Sequence, residues 1–499
     1  MAPQKLTEYE RQRLENIKRN GEMLASFKIH SKVNELSAAT KRQRVQNKSY
    51  KVSPAKKPKT ETPIVIRRSL RTRGMPPDSS TAGGLKDDFD FKETPNKTLK
   101  SQTTPKKSSR ELGPLSMKDA YRGTTSDRTL IETILGVSKK SQLCYGDNLV
   151  KGIDEGSRDW IMGLPENEKL GYPIRVSSSI DLESLELEEE SIARVVPGRI
   201  FSVRFFPSAD MKMVVVGNKF GDVGLWNVDS SEEDGDGIYL YSPHSGPVSG
   251  IAIQPFSLSK MFTSCYDGFI RLMDVEKEKF DLLYSCDNAI FSISHQPNDV
   301  NSLYFSEGHG GLGIWDARAG KSLTLWNLHE KKINTTDFNP ENTNIMATSS
   351  SDGTACIWDL RNIDADKPKP LKTIGHKRSV QSAYFSPSGS SLATTSFDDK
   401  VGLISGANYE DISMIYHNNQ TGRWISSFRA IWGWDDSYIY IGSMKRGVDV
   451  ISAAQRNIVA TLESPHVSAI QCRFDAHPYK VGMLAGATSG GQVYVWSSC

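Results

Sequence analysis

Val223-Gly224-Leu225-Trp226-Asn227, Ile270-Arg271-Leu272-Met273-Asp274, Leu312-Gly313-Ile314-Trp315-Asp316, Ala355-Cys356-Ile357-Trp358-Asp359, Val401-Gly402-Leu403-Ile404-Ser405, Val448-Asp449-Val450-Ile451-Ser452 and Val493-Tyr494-Val495-Trp496-Ser497 are one element written seven times. Each alternates apolar residues, the mark of a strand with one face against a core, and ends in Trp-Asp or a worn form of it. The steps between them are about 42 to 47 residues, room for four short strands and their turns.

The rest of each unit fits that reading. An apolar run ending near Pro comes first, as in Val203-Arg204-Phe205-Phe206-Pro207, Thr336-Asp337-Phe338-Asn339-Pro340 and Ala383-Tyr384-Phe385-Ser386-Pro387; Pro closes the strand and opens a turn. A second run such as Ile345-Met346-Ala347-Thr348-Ser349 leads into Ser351-Asp352-Gly353, a tight hairpin turn. The period is that of a four-stranded WD40 blade, so the expected fold is all-β, a seven-bladed WD40 β-propeller over residues 190–499 with a disordered basic N-terminal extension. The last repeat ends at its third strand, so its outer strand must come from elsewhere. Ala193-Arg194-Val195-Val196, just ahead of the first blade, is the expected donor.

Charge divides the chain. Residues 1–110 hold 26 Lys and Arg against 11 Asp and Glu, about +15, while the whole chain is only +3. Residues 31–110 are rich in Ser, Thr, Pro and Lys and have too little apolar surface to offset the entropy of ordering, so they read as a disordered arm. Two basic clusters in it, Lys41-Arg42-Gln43-Arg44 and Lys56, Lys57 and Lys59, have the spacing of a nuclear-targeting signal; the alternative is a solvated charge run. Residues 1–30 form a separate segment: Thr7-Glu8-Tyr9-Glu10 is a capping box, and Leu14, Ile17, Leu24 and Phe27 follow near helical spacing. This helix either docks on a partner or packs on the ring. Residues 111–189 are a lead-in, with helix expected around Leu130 to Gly136 and an acidic run, Asp181 to Glu190, that is either a solvated helix or a contact for the arm.

Several function classes are set aside. The six cysteines have no metal-ligand spacing, and Cys265, Cys356 and Cys472 fall inside strand patterns as small core residues. There is no apolar run of about 18 residues and no signal peptide, which points to the nucleus or cytosol and away from membranes. No motif places a nucleophile, a phosphate loop or a metal cluster; Gly308-His309-Gly310-Gly311 is a glycine-rich approach to a strand. His244, His329 and His376 are placed to bond Asp267, Asp352 and Asp398 or Asp399, clamps between loops rather than catalytic pairs. No enzyme activity, cofactor, metal or small-molecule substrate is expected.

Loops on the His-Asp rim carry the binding reading. Lys219, Lys331, Lys332, Lys377, Arg378, Arg423, Lys445 and Arg446 all fall there, a local positive field suited to the phosphates of double-stranded DNA. One loop departs from the repeat: His417-Asn418-Asn419-Gln420-Thr421-Gly422-Arg423-Trp424. Asn418, Asn419, Gln420 and Arg423 suit base edges and Trp424 suits an opened base stack, unless Trp424 packs between blades. On the opposite rim, Trp315-Asp316-Ala317-Arg318 and Trp358-Asp359-Leu360-Arg361 put Arg318 and Arg361 in adjacent blades, a pair suited to an adaptor protein.

With these residues in place, the chain resembles the nuclear WD40 family of WD-repeat-containing protein 76 and its fungal DNA-damage-binding relatives. The resemblance spans Leu6 to His30 and most of residues 110–499. It is carried by the Tyr9-Glu10-Arg11 to Asn16-Ile17 helix, the segment Gly152-Ile153-Asp154 to Pro197, and the His417 to Trp424 loop. It implies a nuclear, chromatin-associated protein that prefers UV-damaged or distorted DNA. Members resemble the smaller subunit of the UV-damaged-DNA-binding complex, in which a hairpin enters DNA at the lesion; the residues of His417 to Trp424 differ from that wedge. WDxR pairs also resemble those that dock receptors onto the adaptor of cullin-4 ubiquitin ligases, which implies a substrate-receptor or scaffold role as the alternative.

Overall fold

The computed structural model describes residues 111–146 and 180–498 except 125, 231–234, 255–256, 298, 300 and 365–366, together with residues 15, 18, 19, 97 and 98. Glu15, Lys18 and Arg19 are helical. The capping box, the nuclear-targeting clusters and nearly all of the basic arm lie outside the described residues.

Seven four-stranded antiparallel sheets follow one another as blades, each beginning at its innermost strand. These inner strands are Ile200–Phe205, Val248–Ile253, Ile290–His295, Ile333–Phe338, Val380–Phe385, Ile431–Trp432 and Gln471–Ala476 in blades 1 to 7. The seven strands read from the repeat are the third of each blade, from Val223–Asn227 to Gln492–Ser498. Their alternation is the packing code: in the core between blades 7 and 1, Val203, Phe205, Val214, Val216 and Trp226 meet Ala485, Ala487, Val493 and Val495. Each fully buried aliphatic side chain is worth about 1.5–3 kcal/mol, and no blade can bury both faces alone.

The ring closes as expected. Ile192–Arg194 forms the fourth strand of blade 7, antiparallel to Gln492–Ser498, with Ala193 opposite Val493 and Ile192 opposite Tyr494. Lys97–Thr98, read from the sequence as part of the disordered arm, is a strand that pairs outside it in parallel, Lys97 opposite Ala193. Ala193 and Val195 are fully buried, and Val195 N–H donates to Gly491 O at 3.0 Å.

The acidic run is not a solvated helix. It is an extended strap with two short 3-10 turns, and its strand Leu185–Glu186 pairs with Ser497 and Ser498. The alternation of acid and Leu is a period of two: Leu185 and Leu187 are buried beside Tyr494 and Trp496, and the acids point outward. Residues 111–146 also belong to the propeller. Leu115–Ser116 adds a fifth strand to blade 2, Tyr121 bridges to Tyr241 of blade 1, and the helix Arg128–Gly146, longer than expected, buries Leu130, Ile131 and Ile134 against Met213, Tyr241 and Phe280. The fastener is Arg271, only 1% exposed, whose guanidinium donates to Gly113 O at 2.8 Å and Glu111 O at 2.6 Å.

Candidate nucleic-acid interface

The rim is built from hydrogen-bonded clamps. In blade 4, His329 Nδ1 meets Asp352 Oδ2 at 2.9 Å and its Nε2 meets Thr348 Oγ1 at 2.7 Å, while Trp358 Nε1 donates to the same hydroxyl at 2.8 Å. Gly353, at φ +98°, makes the turn that aims Asp352 at this histidine. Burial alone would raise the Asp352 carboxyl, but bonds from His329 and Thr354 hold it well below the usual carboxylate range. Blade 5 repeats the clamp with His376 on Asp398, at 3.2 and 3.3 Å, and blade 2 with His244 Nδ1 3.5 Å from Asp267. Burial pushes both of these histidines down despite their carboxylate partners.

His417 is a fourth clamp, although its sequence context reads as part of a probing loop. It is buried, with Nε2 3.1 Å from Asp449 and Nδ1 2.8 Å from Asn419 Oδ1. Asn419 is buried too, and its amide donates to Ser396 O at 2.8 Å and Lys400 O at 3.2 Å. That spends the donors a base edge would need, so Asn419 shapes the loop rather than reading DNA. Gln420 is exposed but tied back, donating to Asp399 and Phe397 O while its Oε1 accepts from Arg378 at 3.2 Å. Asp399 sits at φ +61°, where other repeats carry Gly, and so turns its carboxylate toward this loop.

This frame holds up the loop tip. Trp424 is 88% exposed and does not pack between blades. Asn418, Gly422 and Arg423 are exposed beside it, and Arg199 donates to Arg423 O at 2.7 Å across the channel mouth. Lys219, Lys331, Lys377, Arg378, Lys445 and Arg446 are exposed in loops of the same face, and Lys332 is half-buried with its ammonium 4.9 Å from the Phe291 ring. Arg318 and Arg361 leave third strands on the opposite face, and each is held at home. Arg361 grips Asp359 through two bonds, at 2.9 and 2.7 Å, with its side chain 61% exposed. The Arg318 guanidinium meets Asn301 Oδ1 at 3.2 and 3.0 Å when that amide presents its oxygen.

The centre of the basic face holds residues the sequence reading missed. A cup of about 310 Å³ opens at the mouth of the central channel, lined by Arg199, Lys332, Arg423, Arg429 and Arg473 and by Phe201, Tyr266, Phe291 and Phe397. No Asp or Glu is among the described residues lining it. The like charges crowd one another: burial and Arg429 push the Arg473 guanidinium down to about 9, and burial and Arg429 also lower the Lys332 ammonium. Further down, Arg204 is paired with Asp475 at 2.7 Å, and burial pushes Asp337 up to about 6. The two ends of the channel therefore differ in charge.

A bulge puts side chains into the cup. In blades 1 to 5 the second residue of the innermost strand is skipped by the ladder: Ile200 pairs with Asn218 and Ser202 with Gly217, leaving out Phe201. Ser249, Phe291, Asn334 and Gln381 are left out in the same way, and all five line the cup. Each of the five follows a buried aliphatic residue, Ile200, Val248, Ile290, Ile333 or Val380, but position alone does not mark them, because Cys472 is skipped in the same way in blade 7 and is buried.

The repeat described as WD domain, G-beta repeat, matches residues 320–359 and 368–405. Over 98% of its length the chain is 28% identical to WD repeat-containing protein 76 of Xenopus laevis, of which 80% is covered. It is 26% identical to the DNA damage-binding protein cmr1 of Aspergillus oryzae, covering 99% of this chain and 100% of that protein. It is 27% identical to DNA damage-binding protein CMR1 of Kluyveromyces lactis, over 97% of this chain and 98% of that one.

Proposed function

We propose that this WD40-repeat propeller is a nuclear DNA-binding protein that acts on damaged or distorted duplexes, with no chemistry of its own. The observation that carries the reading is one face on which exposed Lys and Arg surround a cationic cup with no carboxylate among the described residues that line it. Similarity along nearly the whole chain to proteins named for binding damaged DNA supports it. Lys331, Lys377, Arg378, Lys445 and Arg446 neutralise phosphates, while Arg423 and Trp424 probe a strand whose stacking is already weakened. Damage lowers the cost of displacing a base, which gives preference without sequence readout. The basic arm adds nonspecific affinity and carries the nuclear address.

The test is binding of the full chain to intact and UV-irradiated duplexes across a salt series. Arg423→Ala with Trp424→Ala should lower affinity for the irradiated duplex about tenfold, the scale of one lost stacking contact, and for the intact duplex less. Equal loss on both would reduce the loop to phosphate contact, and no binding by the unaltered chain would end the proposal.

The opposite face supports a second reading, a docking site for a ligase adaptor or another scaffold protein. Arg361 is held by Asp359 yet well exposed, a preset donor for a partner's carbonyl or carboxylate. Arg318→Ala with Arg361→Ala should abolish co-purification with an adaptor and leave DNA binding intact. Retained co-purification would remove this reading.

A further inference from the structure

The cup has features that contact with a duplex does not use. Its cations face one another with no carboxylate among the described lining residues. The Arg429 guanidinium donates from one Nη to Asn334 O at 3.1 Å, while its buried Nε meets no acceptor among the described residues. Its floor is a row of rings packed edge to face, Phe201 against Tyr266 at 5.9 Å and Tyr266 against Phe291 at 5.1 Å. All three rings are half-buried, so part of each is open to the channel. Cations alone would suit any compact anion, and rings alone any apolar group. Together, with no carboxylate, they suit a flat aromatic group joined to a phosphate. A volume of about 310 Å³ is at the lower end of small-ligand cavities, and far too small for a double helix.

We propose that the cup receives an unpaired nucleotide at a single-stranded end, its phosphate on Arg429 and Lys332 and its base on the Phe201, Tyr266 and Phe291 row. This rests on the reading of the rim as a DNA-binding face and adds a ligand class to it: the rim holds the duplex and the cup holds a strand end. Arg473 has a positioning role, because its Nε and one Nη donate to the carbonyls of Phe201, Ser427 and Cys472 and fix the wall of the cup.

The test uses the full chain and labelled probes followed by fluorescence anisotropy: a blunt duplex, the same duplex with a short thymidine overhang at either end, and the overhang as a free oligonucleotide. The overhang should tighten binding about tenfold, the worth of roughly one stacked base. Phe291→Ala should erase most of that gain and leave blunt-duplex affinity unchanged, whereas Lys377→Gln with Arg378→Gln should weaken both duplexes alike. Equal affinity of the unaltered chain for blunt and overhanging duplexes overturns the proposal, and that comparison needs no variant to fold. It is also overturned if inositol hexakisphosphate displaces the overhang while Phe291→Ala changes nothing, since the cup would then hold an anion only. If the blunt duplex does not bind but the free oligonucleotide does, the rim reading fails and the cup reading stands.

Discussion

Asn419 and His477 show how one side chain can serve the frame while looking available for something else. An Asn in a loop beside Arg and Trp has the donors and acceptor of a base reader, and no pattern in the sequence tells whether those atoms are spent; here they are, on Ser396, Lys400 and His417. Asn419→Ala should therefore act through stability, costing about 1–3 kcal/mol for the bonds left unmade, and DNA affinity measured well below the melting temperature should change little. A specific loss of affinity in a fully folded variant would return Asn419 to the interface. His477 is fully buried, and its Nδ1 accepts from Tyr479 N and Lys480 N at 3.1 and 3.0 Å, so a proton there breaks both bonds. Burial, helped by Lys480, pushes this imidazole down to about 4. The unfolded chain, with a His near 6.5, then binds the proton first, so the stability is fully present above about pH 6.5 and is lost as pH falls toward 4. Melting from pH 8 to 5 should cost the unaltered chain about 2 kcal/mol more than His477→Gln. Parallel curves would contradict this.

At the scale of elements, the period of the third strands made the blades legible, because alternation and Trp-Asp endings report burial directly. Three other features were not legible, for separate physical reasons. The bulge moves a residue out of the ladder without changing its type, so Phe201 and Phe291 read as ordinary strand residues. Arg271 takes its partners from the backbone carbonyls of Glu111 and Gly113, which every residue has, so nothing in the sequence links it to the lead-in. The acid and Leu alternation of residues 181–190 fits a strand as well as a helix over so short a run, and only the neighbouring blade decides. Two predictions belong here. Deleting residues 190–198 removes the outer strand of blade 7 and should abolish cooperative melting; an unchanged transition would show that the ring closes without it. Arg271→Met should lower stability by about 3 kcal/mol, the scale of breaking a buried charged contact, and release residues 111–122 to protease. Resistance to cleavage in that variant would put the fastening elsewhere.

For the whole molecule, charge also divides the two faces of the propeller. The channel is cationic at the rim that carries the exposed Lys and Arg and carries Arg204, Asp337 and Asp475 further down. DNA affinity should fall steeply with salt, each neutralised phosphate adding about 0.9 to the logarithmic slope. Replacing Lys377, Arg378, Lys445 and Arg446 by Gln should flatten that slope by about 2 to 4 if most of them touch phosphate. An unchanged slope would assign the electrostatic contact to the arm instead.

The lead-in stitches blades 1 and 2 together, and the residues before blade 1 complete blade 7, so three adjacent blades are bound by chain from outside the repeats. Among the described residues no strand from outside the repeats joins blades 3 to 6, although Leu185 and Leu187 of the lead-in share a core with Trp434 and Tyr440 of blade 6. In mechanical terms the ring is a clamp with one braced jaw and one unbraced, and the loop bearing Trp424, between blades 5 and 6, is mounted where the two meet. Distorted DNA pressing on that loop would bear on this junction, while Arg199, at the entry to blade 1 in the braced jaw, reaches across to hold the loop at Arg423.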